Sequence, residues 1–203
     1  MWYKPRDMLP YQQQFIELMV RHEVLRFGDF TLKSGRKSPY FVNAGQFGTG
    51  AAIAGLGNAY ATCLERAGLP CDLVFGPSYK GVPLAVSTAT ALAARGRDVP
   101  YCFDRKEAKD HGEGGWFVGT QPQPGMRVIL VDDVITSGRS VREGVALVRK
   151  TRATVAGVII AVDRQERGQS ERTTMAELRA SLDLPVHPIV TIRQVVEALH
   201  GRS

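Results

Sequence analysis

Residues 128–140 read VILVDDVITSGRS, and the reading of the whole chain works outward from them. Val128 to Val131 is a short apolar run, mostly β-branched, which suits a strand buried on both faces. Asp132 and Asp133 follow at once. Thr136, Ser137, Gly138 and Ser140 come next, all small and three of them hydroxylic, and then Val141, Val145 and Val148 recur at helical spacing up to Lys150. The plan is strand, acidic pair, small polar turn, helix. In an open α/β sheet, ligands bind beyond the carboxyl ends of the strands. A turn that opens a helix offers unpaired backbone N–H groups and the positive end of the dipole, a seat for phosphate. Carboxylates repel that phosphate, so the acids must serve something beside it, such as sugar hydroxyls or a Mg²⁺ ion. The plainer alternative is that the acids and hydroxyls only cap the helix, and Ser140-Val-Arg-Glu143 does fit a capping box. Capping needs one polar residue, however, not an acidic pair followed by Thr, Ser and Gly.

The composition sets the frame. A chain of 203 residues has enough length for a full core in one domain, and 44% hydrophobic with 23% charged residues is ordinary for a soluble globular protein. No apolar run approaches the ~20 residues of a membrane span. The opening MWYKPRDMLPYQQQ has no apolar signal-peptide core, so a cytoplasmic protein is expected. Cys63, Cys71 and Cys102 are odd in number and lack CxxC spacing, which favours buried free thiols over a disulfide or zinc framework. The four histidines, 22, 111, 187 and 200, are scattered. The formal charge of +6 raises nucleic acid as a partner. Its clearest cluster, Arg105 to His111, is flanked by glycines rather than laid along a helix, which suits a clamp on a small polyanion better than a duplex-reading face.

Along the chain, residues 11–27 place Phe15, Leu18, Met19 and Leu25 at roughly helical spacing and predict an amphipathic helix. Residues 28–47 alternate short Phe/Thr/Leu and Tyr/Phe/Val runs with Gly and Pro, a β-hairpin or small meander expected to sit as a flap over one end of the sheet. Lys33 lies there, and as a lone lysine it reads as a turn residue. Residues 49–67 predict an alanine-rich helix stopped at Gly68, weakened by Gly55 and Gly57. Their GLG spacing hints at a dinucleotide fingerprint, but Tyr60 stands where a small residue is needed and no strand precedes it.

Asp72 to Phe75 predicts a strand, followed by the loop GPSYKG over 76–81 and a helix to about Arg95. This is a second strand–glycine loop–helix unit, able to hold a pyrophosphate on backbone N–H groups with Lys80 supplying charge, or else an ordinary βα turn. Val99 to Phe103 is the next strand. The segment DRKEAKDHGEGGW, 104–116, is polar, glycine-rich and without helical or strand period, and reads as a closing lid or a solvated surface loop. Trp116 to Val118, Thr154 to Val162 and Val186 to Thr191 are further strands, with helices over 171–180 and 192–200. Arg164 comes off the end of the 154–162 strand and so falls at the same sheet edge as the acid pair. The alternation predicts an α/β fold, a mainly parallel sheet with helices on both faces, plus a small N-terminal helix and β-hairpin hood over 1–48. The whole, 1–203, is expected to be one domain.

The segment VDDVITSG resembles the ribose-phosphate motif of the type I phosphoribosyltransferases. Four further stretches, TLKSGRKSPYF (31–41), GPSYKG (76–81), RKEAKDHGEGG (105–115) and VDRQERG (162–168), are similar to the orotate branch of that family. The resemblance implies transfer of the phosphoribosyl group of phosphoribosyl pyrophosphate (PRPP) to orotate with Mg²⁺, giving orotidine 5′-monophosphate and pyrophosphate, a step of pyrimidine biosynthesis. Mg²⁺ would be held mainly by PRPP and water rather than by dedicated protein ligands. By position, the resemblance assigns Lys33, Tyr79, Lys80, Arg105, Lys106, Lys109 and His111 to PRPP. It assigns Asp132, Asp133, Val134, Ile135, Thr136, Ser137, Gly138, Arg139 and Ser140 to the ribose and 5′-phosphate, and Phe41, Val42, Thr136 and Arg164 to orotate. Asp132, Asp133, Lys106, Lys109 and His111 would be catalytic, and the enzyme a homodimer whose lid reaches into the partner's site, with no nucleic acid or membrane partner.

Three positions depart from the family's pattern. Val42 stands where many relatives carry a second aromatic residue, and Ser137 and Arg139 replace a common Ala and Thr. Arg139 either strengthens phosphate binding or points to solvent. The competing readings are a phosphoribosyltransferase for another base and a non-catalytic PRPP-sensing regulator, against which the intact lid cations argue.

Overall fold

The segment 128–134 forms the middle of a six-stranded sheet. The strands are β3 (Leu73–Gly76), β4 (Tyr101–Lys109), β5 (Gly115–Gly119), β6 (Arg127–Val134), β7 (Thr154–Asp163) and β8 (Val186–Thr191), in the order β5-β4-β3-β6-β7-β8. All neighbours are parallel except β4 and β5. This computed structural model describes residues 8–31, 37–109, 115–135, 137–168 and 170–200, with backbone alone for 106–109 and 200.

Parallel strands in the middle of a sheet are buried on both faces, and side chains alternate between those faces with period two. Val128 and Leu130 of β6 pack on one face with Val141, Val145 and Val148 of α4 (Arg139–Lys150) and with Met175 and Leu178 of α5 (Thr174–Leu182). Ile129 and Val131 pack on the other face with α1 (Pro10–Arg21), α2 (Gly50–Arg66), α3 (Gly81–Ala93) and α6 (Ile192–His200). The expected mainly parallel sheet with helices on both faces is therefore present.

Ahead of the sheet lies an antiparallel hairpin, β1 (Leu25–Thr31) with β2 (Lys37–Val42), which pairs Leu25 with Val42 and Phe27 with Tyr40. This is the expected hood. The expected helix over 11–27 is shorter, because it ends at Arg21 and Glu23 turns the chain with a φ of 53°. Leu25 is buried as a strand residue instead, so its helical spacing from Phe15 and Leu18 was no guide to its backbone. Gly57 does not weaken α2. A Cβ there would stand 2.2 Å from the Ser87 carbonyl oxygen, so the glycine lets α2 and α3 close on one another.

Two further expectations need correction. The polar segment from Asp104 is not loop from its start: β4 runs on to Lys109, and Lys109 pairs with Gly115. The segment DRKEAK is polar and mixed in charge, so it carries no apolar alternation to mark it as strand. The helix predicted over 171–180 runs from Thr174 to Leu182, capped by the Thr173 hydroxyl, which accepts from the Ala176 N–H.

The order of strands fixes where a ligand can lie. From β3 the chain steps outward to β4, then crosses back to β6 on the other side of β3. The crevice between β3 and β6, beyond their carboxyl ends, is the topological switch point of the sheet.

Candidate active site

The loop after β3 and the acids ending β6 meet at that switch point. Gly76 and Gly81 let the loop fold onto itself, since a Cβ on Gly76 would lie 2.0 Å from the Gly81 carbonyl oxygen. Lys80, at the start of α3, reaches across to β6 and its Nζ stands 2.9 Å from Oδ2 of Asp133. That hydrogen bond holds the Lys80 ammonium above its usual pKa. Tyr79 beside it is 72% exposed, its ring held out toward solvent.

Asp132 and Asp133 are both nearly buried, 7% exposed each. The Oδ1 of Asp132 accepts from the Asp133 N–H at 2.9 Å, and Oδ2 accepts from the Ser140 hydroxyl at 3.0 Å. Burial first, and then the like charge of Asp133, push the Asp132 carboxyl up to about 6. Asp133 turns its Oδ1 back to the Val134 N–H at 2.7 Å.

The turn between acids and helix lines a cleft of about 300 Å³ with Asp132, Ile135, Ser137, Gly138 and Ser140 among its walls. Gly138 sits in the left-handed region at φ 70° and ends the turn, and α4 begins at Arg139. The capping box that the plainer reading offered from Ser140 to Glu143 does not form. Ser140 is already inside the helix and its hydroxyl is spent on Asp132, while Glu143 pairs with Arg139 at 2.7 Å. The Arg139 side chain is 82% exposed and directed to Glu143 at the surface. Val134 and Ile135 lead into the turn, Ile135 buried. Thr136 lies outside the described residues.

At the far side of the acids, β7 delivers Arg164 to the same edge. Its guanidinium is 10% exposed, lies 5.6 Å from the centroid of the Tyr40 ring, and brings Nη2 to 2.5 Å from Oε1 of Glu166. The Tyr40 hydroxyl also donates to the Arg164 carbonyl at 3.4 Å. Nη2 is thus taken up by Glu166, while Nε of Arg164 is buried without a hydrogen-bond acceptor among the described residues. Phe41 stands 41% exposed and stacks on Phe30 with ring centroids 5.6 Å apart. Because strand neighbours point to opposite faces, Phe41 is turned away from the side that Tyr40 and Val42 share.

The middle of β4 is tied to the loop after β3. Oδ1 of Asp104 accepts from the Ser78 N–H at 2.5 Å, and the Ser78 hydroxyl donates to the Asp104 carbonyl. Arg105 lines a cleft of about 410 Å³ with Ser78, Asp104, Trp116 and Ser140, its Nε buried without an acceptor among the described residues. Lys33 and His111 lie outside the described residues, as do the side chains of Lys106 and Lys109, although β4 carries the backbone of both lysines.

An acid pair, a helix-opening turn and a glycine loop with a lysine, all on one switch point, call for comparison with known proteins. A family model described as a phosphoribosyl transferase domain matches residues 49–186. The chain is 53% identical to the orotate phosphoribosyltransferase of Salmonella paratyphi A, over 96% of this chain and 91% of that one. The chain belongs to the orotate phosphoribosyltransferase family. Its identity to the Photorhabdus laumondii member is 52% over the same shares of the two chains. The crystal structure of the Francisella tularensis orotate phosphoribosyltransferase matches with a TM-score of 0.83 at 39% identity, covering 92% of this chain and 90% of that one.

Within this family fold, the sequence reading missed three residues that shape the site. Tyr40 shares a hairpin face with Val42 and meets Arg164, a pairing that strand alternation predicts once the hairpin is known. Arg142 donates from Nη1 to the Ser137 carbonyl at 2.7 Å and so braces the turn. It sits one helical turn past Gly138, and that spacing was a usable signal. Tyr60 is fully buried on α2 and donates to the Asp132 carbonyl at 2.7 Å. No local pattern points to that long-range contact.

Proposed function

We propose how this orotate phosphoribosyltransferase, an enzyme of pyrimidine biosynthesis, makes its product at the switch point. PRPP lies with its 5′-phosphate on the turn from Val134 to Ser140, its ribose beside Asp132 and Asp133, and its pyrophosphate over Tyr79, Lys80 and Arg105. The single observation that carries this reading is the Lys80–Asp133 contact of 2.9 Å, because it sets a cation and an acid pair side by side. Breaking the anomeric C–O bond leaves positive charge on the ribose ring and negative charge on the departing pyrophosphate. The two carboxylates stabilise the first charge. Lys80 and Arg105, with Lys33 and the lid's Lys106, Lys109 and His111, stabilise the second, and a closed lid keeps water from PRPP.

The Arg164 guanidinium, with Nε still unpaired, fits the carboxylate of orotate, a flat anion, with Val42 and Thr136 beside the ring; Phe41, on the other face of the hairpin, is left out of that wall. Tyr40 steadies the guanidinium from below. The oxygen donors of this edge suit a hard cation, but Asp132 and Asp133 are already engaged by Ser140 and Lys80. Mg²⁺ is therefore assigned to the PRPP oxygens and water, where it supplies positive charge to the leaving group. We read 1–203 as one domain with a hood over 1–48, working as a homodimer whose lids cross between subunits. Three buried free thiols suit a reducing compartment and support a cytoplasmic enzyme. Among the described residues, no helix is long and apolar enough to cross a membrane.

A base panel tests the substrate assignment. With PRPP and Mg²⁺ present, orotate is expected to be consumed with matching release of pyrophosphate, and uracil, hypoxanthine and adenine to stay untouched. Turnover of another base in place of orotate would refute it.

A further inference from the structure

Ser140 opens α4 at the point where the 5′-phosphate is expected, so a phosphate contact is its obvious role. Its hydroxyl is used otherwise. A serine hydroxyl has one proton to donate, and here it goes to Oδ2 of Asp132 at 3.0 Å. The same proton cannot also serve a phosphate oxygen. We propose that Ser140 is a positioning residue for Asp132, serving the acid pair and leaving the phosphate to the backbone N–H groups of the turn. This rests on the reading that Asp132 accepts from the ribose hydroxyls.

The surroundings of Asp132 explain why such a donor matters. On its own strand, Asp133 is a like charge that lends only its N–H, at 2.9 Å. Lys80 on α3 is the nearest cation that acts on the pair, but its ammonium is bonded to Asp133. Tyr60 on α2 gives its hydroxyl to the Asp132 carbonyl rather than to the carboxylate. On α4, Arg139 and Glu143 pair with one another. The neighbours on β7, Ile160 and Val162, are apolar and buried. Among the described residues, Ser140 is thus the side chain that donates to Asp132. With the carboxyl already raised to about 6 by burial and by Asp133, loss of that donor moves Asp132 toward its protonated form, which carries no charge and presents an O–H where the carboxylate accepts, and so holds the ribose hydroxyls less well.

The test is the pH dependence of Ser140→Ala, read as the ratio of its kcat/KM for PRPP to that of the wild type. A hydrogen bond to a charged group changes proton affinity on the order of tenfold. The variant should therefore fall behind by about fivefold near pH 6 and catch up above about pH 8, where Asp132 is ionised in wild type and variant alike. Ser140→Thr keeps the hydroxyl and should follow the wild type throughout. A penalty of equal size at both pH values would show that Ser140 serves the phosphate, and would overturn the proposal. Asp132→Asn separates this from failure of the underlying reading. If Asp132→Asn keeps near-wild-type turnover, the ribose assignment falls. If it is inactive while the Ser140→Ala penalty is flat, only the role of Ser140 falls.

Discussion

The phenol of Tyr60 donates a 2.7 Å hydrogen bond to the main-chain carbonyl of Asp132, linking the middle of α2 to the residue where β6 meets the candidate active site. Tyr60 is fully buried, and its hydroxyl is a polar group in an otherwise apolar layer. A buried hydroxyl is tolerated only when bonded. Tyr60→Phe keeps the ring packing and removes the donor, leaving the carbonyl short of a partner. The expected loss is about 1–3 kcal/mol, read as a lower urea midpoint with unchanged slope. An unchanged midpoint would mean the bond contributes nothing to holding the end of β6.

The acid pair is held at a cost to the fold. Burial and Asp133 raise the Asp132 carboxyl from 3.8 to about 6. A carboxyl raised in the folded state binds more protons there than in the unfolded chain, so this residue's contribution to stability falls as pH rises from about 4 to 6. Asp132→Asn removes the penalty, its Oδ1 still accepting from the Asp133 N–H and its Nδ2 donating to the Ser140 hydroxyl, which turns to accept. The variant is expected to be more stable than wild type at pH 7, on the order of 2 kcal/mol. The advantage should vanish near pH 4. Thermal unfolding at the two pH values checks both the sign and its window.

Arg164 follows the end of β7, its side chain 10% exposed, over the Tyr40 ring and against Glu166. A lysine there keeps the charge but loses the planar fork and the ring contact. Arg164→Lys is expected to raise KM for orotate by about tenfold or more, with KM for PRPP changed less than about twofold. Steady-state kinetics with each substrate varied in turn makes the measurement. Equal effects on both constants would take Arg164 out of the orotate site.

How much of this was legible in the chain depends on what kind of contact each residue makes. β6 and β7 were readable because strands buried on both faces are continuous apolar runs, and Arg164 followed from them because it leaves β7 at the edge that carries Asp132. The length of β4 past Asp104 was not readable, since a run of charged residues has no apolar period to show. The end of α1 was missed because Leu25 is buried whether helical or extended. The role of Ser140 was obscured by a local pattern, Ser-x-x-Glu, that fits a capping box equally well. The contacts of Tyr60 with Asp132 and of Asp104 with Ser78 join residues 72 and 26 positions apart, and nothing local encodes such pairs.

The lid is proposed to act across a dimer, and subunit mixing tests that. Subunits carrying Lys106→Ala are combined with subunits carrying Asp132→Asn. If lids cross, each mixed dimer holds one site with both residues intact, and activity should rise well above that of either parent. If exchange is demonstrated and no activity returns, each lid serves its own chain.

The most direct measurement follows the disappearance of orotate with PRPP and Mg²⁺, in the wild type and in Asp132→Asn/Asp133→Asn. The wild type should consume orotate, and the double variant, folded by circular dichroism, should turn over at less than about a hundredth of that rate, a deficit of roughly 2.7 kcal/mol or more in transition-state stabilisation. Near-normal turnover in the folded double variant would contradict the assignment of the acid pair to the ribose.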